Sequence, residues 1–232
     1  MALLGAGAAM GEAATTTGPW WLVLALTLAG AGVGMVLTPR LIGAGYRLDH
    51  ESGPLPFPTW TIPVTMAVTW GLVAWQLGPR AEFTLTPALL TFTTAGVALT
   101  WIDADVHRLP TGLIWPTFWL VAAQLALTSA ITGSWVPLIR GFVLAGIFGG
   151  VFFLMYRRAR GALGRGDVRL LTLIALVTGY HSLSGPLTAT MIGLAVSWVW
   201  LAIKLSRGAG RRDEFAFGPW LALGGYLTLL LG

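Results

Sequence analysis

The amino-acid sequence predicts an all-α fold, a polytopic membrane bundle of about eight transmembrane helices, and three observations carry that prediction. Of its 232 residues 56% are hydrophobic and 10% charged, with a mean hydropathy of +0.76, whereas soluble domains carry about a quarter charged residues. Apolar runs close to the roughly 20 residues that a helix needs to cross a bilayer recur along nearly the whole chain. Basic residues gather in alternate loops, the pattern left by a chain that crosses repeatedly and keeps Lys and Arg on one side.

The elements follow from apolar runs bounded by charge, Pro or Gly. Residues 1–18 are rich in Ala, Gly and Thr and hold no basic residue before the first apolar run. They are expected to be a short disordered tail rather than a cleaved signal peptide. The first helix is expected over 19–37, before Thr38-Pro39-Arg40, and a Pro- and Gly-rich loop then spans 38–59. The second covers 60–77, stopped by Gly78-Pro79-Arg80. The third opens at Pro87 and runs over 87–102 to the first of two closely spaced aspartates. The fourth, 113–131, lies between Pro110 and Gly133, and the fifth, 136–156, ends at Arg157-Arg158. The sixth, 170–183, is short; the seventh, 186–203, ends at Lys204; the eighth covers 217–231. With no room left for a soluble module and no internal repeat, residues 19–232 read as a single transmembrane domain.

Twelve of the fourteen basic residues fall after the first, third, fifth and seventh helices, leaving Arg80 and Arg140 for the other side. The basic loops are therefore expected in the cytoplasm and both termini outside. With a net charge of +5 distributed in this way, the expected surroundings are membrane lipid, and nucleic acid is not an expected partner. The absence of cysteine excludes disulfides and thiolate-bound zinc. No metal-ligating cluster emerges, and no cofactor is expected.

Of the nine acidic residues, Glu12, Asp49, Glu51, Glu82, Asp213 and Glu214 fall in the tail or in loops where solvation explains them. Asp103, Asp105 and Asp167 remain, at the membrane boundary on the basic side. Acids at that depth are costly unless paired, hydrated or in use. Asp167 is also a plausible helix N-terminal residue, whose carboxylate accepts backbone N–H bonds and suits the dipole. Asp103 and Asp105 could equally form a solvated helix end. Two carboxyls delivered by different helices to one side can share a proton, since like charges a few ångströms apart cannot both ionise comfortably. One could then activate a water while its protonated partner polarises a carbonyl.

These residues stand in strings that resemble the bacterial prepilin peptidases. Asp103-Ala104-Asp105, followed by Leu109-Pro110 and Pro116, is similar to the first active-site segment of that family. Gly164-Arg165-Gly166-Asp167 is the Gly-x-Gly-Asp signature of intramembrane aspartic proteases, continued by Val168-Arg169-Leu170-Leu171, with Arg169 where Lys is usual. Phe217-Gly218-Pro219-Trp220-Leu221-Ala222 is similar to the family's Phe-Gly-Pro-Phe-Leu-Ala segment. The Tyr46-Arg47-Leu48 string bears a faint likeness to the family. The resemblance implies that Asp103 and Asp167, 64 residues apart, are the catalytic aspartates of a transmembrane peptidase domain. It further implies that the enzyme removes leaders from type IV pilin or pseudopilin precursors at the cytoplasmic face of the bacterial cytoplasmic membrane.

Asp105 is then a supporting residue that shapes charge or hydrogen bonding near Asp103, or else a solvated loop acid. Gly164 and Gly166 would permit backbone positions closed to bulkier residues and let substrate approach Asp167, or else form an ordinary flexible loop. Arg169 would stabilise an ionised Asp167 or meet lipid phosphate. His107 and Arg108 read as interfacial loop residues, and His181 lies toward the outer face. Many members of the family carry paired Cys-x-x-Cys zinc motifs in a larger first loop and N-methylate the product. With no cysteine and a first loop of about twenty residues, this chain resembles the reduced, peptidase-only members. A reading from another class keeps the acids as relay or structural groups of a transporter or a pilus-assembly scaffold.

Overall fold

The computed structural model describes residues 20–43, 45–48, 53–80, 83–158, 164–207 and 217–231. Eight helices succeed one another: α1 (Trp20–Ile42), α2 (Thr61–Arg80), α3 (Thr86–Val106), α4 (Thr111–Thr132), α5 (Val136–Arg158), α6 (Arg165–His181), α7 (Gly185–Ser206) and α8 (Gly218–Leu231). A 3₁₀ turn, Phe83–Leu85, leads into α3, and no strand occurs among the described residues. The expected tail, residues 1–18, and the six acids expected in solvated segments lie outside the described residues.

Five of the eight helices, α1, α3, α4, α5 and α7, are long and apolar enough to cross a bilayer. At 1.5 Å per residue, the 17 residues of α6 and 14 of α8 reach only about 25 and 21 Å. What shelters α6 is protein. It touches α4, α5, α7 and α8, and residues 173–180 are buried without interruption, as in a helix that is a core rather than a surface. The outward faces of α1, α5 and α7 instead expose Leu24, Leu28, Ile139, Val143, Ile147, Leu187 and Met191. Apolar exposure on that scale suits lipid and not water, and the chain is a multi-pass membrane protein.

Lipid tails are as apolar as Leu, so helices associate there by close packing, which small residues permit. Three helix pairs are built this way. A β-carbon added at Gly30 of α1 would sit 2.6 Å from the Met66 carbonyl of α2. One at Gly141 of α5 would sit 2.8 Å from the Leu176 carbonyl of α6, and one at Gly193 of α7 would sit 2.9 Å from the Trp220 carbonyl of α8. Threonine hydroxyls within the bundle find partners in their own helices, because lipid offers none. Thr93, Thr117, Thr172, Thr178, Thr190 and Thr228 donate to carbonyls one turn back. Tyr226 of α8 donates to the Thr69 carbonyl of α2 at 2.9 Å, tying the last helix to the second.

The ends of the helices differ from the sequence-based bounds where the site lies. α3 continues one turn past residue 102 and takes Asp103 and Asp105 into its last turn. It stops at His107, whose φ of 52° is left-handed and whose N–H returns to the Asp103 carbonyl at 3.0 Å. α6 begins at Arg165 rather than 170, so Asp167 belongs to its first turn.

Gly30→Ala is expected to destabilise the α1–α2 pair by about 1–3 kcal/mol through overpacking. Gly32→Ala, on the same helix with nothing within 4 Å of the added carbon, is expected to cost nothing. Thermal unfolding of the two variants in detergent checks the contrast.

Candidate active site

The ends of α1 and α3 and the starts of α4, α6 and α8 meet at the end of the bundle that carries the basic loops, and the three described acids lie there. In α3 no basic residue occupies the last turn, although that turn carries two carboxylates against the unfavourable end of the helix dipole. Compensation comes from elsewhere in the chain. Asp103 is 4% exposed, and its Oδ2 accepts the N–H of Gly218, 2.9 Å away. That N–H opens α8 and has no partner within its own helix.

Two residues further on, about 200° around the helix, Asp105 faces another partner set. Arg47 donates from Nε to Oδ2 at 2.7 Å and from Nη2 to Oδ1 at 2.5 Å, and the Tyr46 hydroxyl donates to Oδ2 at 2.7 Å. The Asp105 side chain is 3% exposed, which overturns its reading as a solvated loop acid. The same burial at Asp103 overturns the solvated helix end. Burial, and then the bond to Asp105, push the Tyr46 phenol up to about 12. Its hydroxyl therefore remains a donor throughout the physiological range. The bond to Asp105 likewise pushes the Arg47 guanidinium up, so the arginine stays charged.

Asp167 is the third residue of α6, and its Oδ2 accepts the N–H of Gly164 at 3.2 Å. The capping role expected of a carboxylate at a helix start is thus present. That role leaves Asp167 facing the same cavity as Asp103, within electrostatic reach of it. The cavity has a volume of about 360 Å³. Tyr46, Arg108, Arg165 and Arg169 contribute to its walls, while Asp105 does not. Cavities of about 30 and 220 Å³ toward the opposite end, around Tyr180 and His181, are lined by no carboxylate. Among the described residues no three His, Cys, Asp or Glu side chains come together as a metal cage would need.

Leu109 is the spacer between the two acids' supports. A β-carbon on Gly166 would sit 2.6 Å from the Leu109 β-carbon, and one on Gly218 would sit 3.2 Å from Leu109 Cδ1 and 2.8 Å from Asp103 Oδ2. Gly164 is extended, with φ of −74°, and among the described residues His107 and Gly133 alone have positive φ. The glycines of the Gly-x-Gly-Asp string are therefore required by close approach, not by left-handed backbone. Arg169 bonds the Thr111 hydroxyl at the start of α4 and lines the cavity. Arg108 donates to the Tyr46 carbonyl at 3.3 Å, and His107 caps α3.

Sequence reasoning did not nominate Tyr46, Arg47 or the Gly218 N–H for the site. A buried acid demands a cation, and Arg47 supplies it from 58 residues away. A backbone N–H has no signature in a sequence.

Residues 90–206 match the model of the type IV leader peptidase family, a stretch that contains both cavity aspartates. The prepilin leader peptidase/N-methyltransferase of Pseudomonas putida is 28% identical over 176 residues, covering 74% of this chain and 58% of that protein. The protein of the same name from Neisseria gonorrhoeae is 30% identical over 173 residues, 72% of this chain and 55% of its own. That of Dickeya chrysanthemi is 32% identical over 165 residues, 68% and 53%. The chain thus spans less than two thirds of the length of each of these relatives. No solved structure matches it.

Gly218→Ala is expected to insert into the membrane and to lose about 1–3 kcal/mol of stability, because the added methyl displaces the Asp103 carboxylate or Leu109. The midpoint of thermal unfolding, set against that of the wild type, checks this.

Proposed function

The chain belongs to the type IV leader peptidase family, and from that membership we propose that it is an intramembrane aspartic endopeptidase whose catalytic pair is Asp103 and Asp167. Its substrates are type IV pilin-like precursors, from which it removes the leader. The observation that carries this reading is a cavity, at the bundle end with the basic loops, that takes one carboxyl from α3 and one from α6.

The chemistry asks little beyond that pair. One carboxylate removes a proton from water as the oxygen forms a bond to the scissile carbonyl carbon. The other carboxyl, protonated, gives its proton to the carbonyl oxygen. Collapse of the tetrahedral intermediate breaks the C–N bond, and a proton passes to the departing amine, leaving one new carboxyl and one new amine. Two carboxyls in one cavity suit this exchange because the charge on one favours a proton on the other. A helical substrate must lend its scissile bond out of its own hydrogen-bond ladder, which costs several kcal/mol in lipid. A cavity at the end of the bundle, walled by arginines, is a hydrated place to do so.

The cytoplasmic placement of the cavity rests on the charge bias of the loops. An uncleaved leader with its cationic N-terminus stays on that side, and the substrate's apolar segment would lie against the lipid-facing surface of the bundle.

Asp103→Asn and Asp167→Asn are each expected to reduce cleavage at least about a hundredfold with membrane insertion unchanged. Co-expression with a pilin precursor, read as the size shift on leader removal, tests this. Cleavage by both variants would return the two acids to structural duty, and assembly supported by unprocessed precursor would favour a scaffold.

A further inference from the structure

We infer that Arg47 and Tyr46, acting through Asp105, are positioning residues that hold the last turn of α3, and with it the Asp103 carboxyl, in register with the cavity. This rests on the peptidase reading above, and Tyr46 and Arg47 lie outside the 90–206 stretch that matches the family model.

The turn that carries Asp103 is gripped from two sides. On one side its carboxylate accepts the Gly218 N–H of α8. On the other, Asp105 takes three hydrogen bonds from two side chains of the segment after α1. The grip is built and not incidental. Arg47 is bidentate on the carboxylate, the geometry in which guanidinium specifies orientation as well as charge, and a further nitrogen of the same group reaches the Gly53 carbonyl at 3.1 Å. Arg108, just past the end of α3, closes the circuit on the Tyr46 carbonyl.

An apolar contact backs the polar one. Leu41, Ile62, Ala98, Trp101 and Ile102 form a cluster separate from the main core, with Tyr46 and Val106 packed against it. In the same region Phe57 meets Trp101 edge-on at 6.1 Å. The segment after α1 is thereby seated on the α3 end, with Tyr46 both a wall of the cavity and a ligand of Asp105.

The electrostatics explain why this tie is needed. Two carboxyls in the last turn of a helix oppose the dipole, and that turn would fray or turn outward to hydrate them. Arg47 neutralises the one that faces away from the cavity. The turn then keeps its helical geometry, which fixes the direction in which Asp103 leaves the helix. Asp105 serves as an anchor and not as a third acid, since it does not line the cavity.

The test is kinetic, on the full chain in detergent with a pilin precursor as substrate, and thermal unfolding serves as the check that each variant is folded. Arg47→Ala and Asp105→Asn are each expected to lower kcat at least about tenfold, as misplacement of a reacting group does, with KM within about twofold of wild type. The double variant is expected to lose little more than either single one, because the residues act as one unit. Arg47→Lys, which keeps charge but loses the fork, is expected to recover part of kcat. Tyr46→Phe, which removes one bond of three and leaves the packing, is expected to lower kcat less than Arg47→Ala.

Unchanged kcat in folded Arg47→Ala and Asp105→Asn would overturn the inference. So would an effect confined to KM, which would make the segment a gate for substrate. Wild type and Asp103→Asn are run beside them. A wild type that does not cleave, or an active Asp103→Asn, would overturn the peptidase reading itself.

Discussion

Close packing without a hydrophobic reward is the constraint on which the rest of this structure depends. In lipid, burying Leu against Leu gains little, so the bundle is held where backbones approach each other directly. Gly30, Gly141 and Gly193 do this along the helix pairs. Gly166 and Gly218 do it around Leu109, where the same device no longer serves cohesion alone. It brings the starts of α6 and α8 so near the end of α3 that two aspartates, one on α3 and one on α6, share a cavity. Fold and site are products of one packing rule, and a methyl group at either glycine would disturb both.

Charge is handled in the complementary way. The boundary region is too dry to leave carboxylates unpartnered and too wet to forbid them. Each of the three described acids has a different settlement. Asp167 sits at a helix start, where the dipole and the Gly164 N–H favour it. Asp103 sits at a helix end, where the dipole opposes it, and borrows the N–H of another helix. Asp105 is tied to a guanidinium and a phenol. Of the three, Asp103 and Asp167 have a side open to the cavity and Asp105 does not, and in the proposed function that openness separates the reactive pair from the structural acid. An arginine, which donates and never accepts, suits the structural task at Asp105, where no proton need move.

Much of this was legible in the sequence. The eight helices follow from apolar runs, and the end of the bundle that gathers the acids follows from the loops that carry them. The misses share a cause. Taking a charge as the end of an apolar run stopped the third helix at residue 102, yet α3 continues, because the charge of Asp105 is cancelled by Arg47 from far along the chain. The sixth helix begins five residues before its apolar run, because Asp167 caps it and turns a glycine-rich string into a first turn. The glycines of that string suggest backbone freedom and room for substrate, or else a flexible loop, whereas neither has a left-handed φ and the need is proximity, of Gly166 to Leu109 and of Gly164 to the Asp167 carboxylate. Proximity is a property of the folded molecule. A pattern can mark where a residue is required without saying what stands next to it.

The hydrogen bond from Gly218 to Asp103 joins residues 115 apart in the chain, and this has a bearing on biogenesis. A nascent chain that has inserted its first seven helices already carries both aspartates and the Arg47 tie, but not the donor that settles Asp103. Asp103 gains that donor only when α8 docks on α3 and α6, after both of those helices have been made. A ribosome product truncated before α8 would hold both acids and Arg47 yet lack the N–H that the buried Asp103 carboxyl accepts.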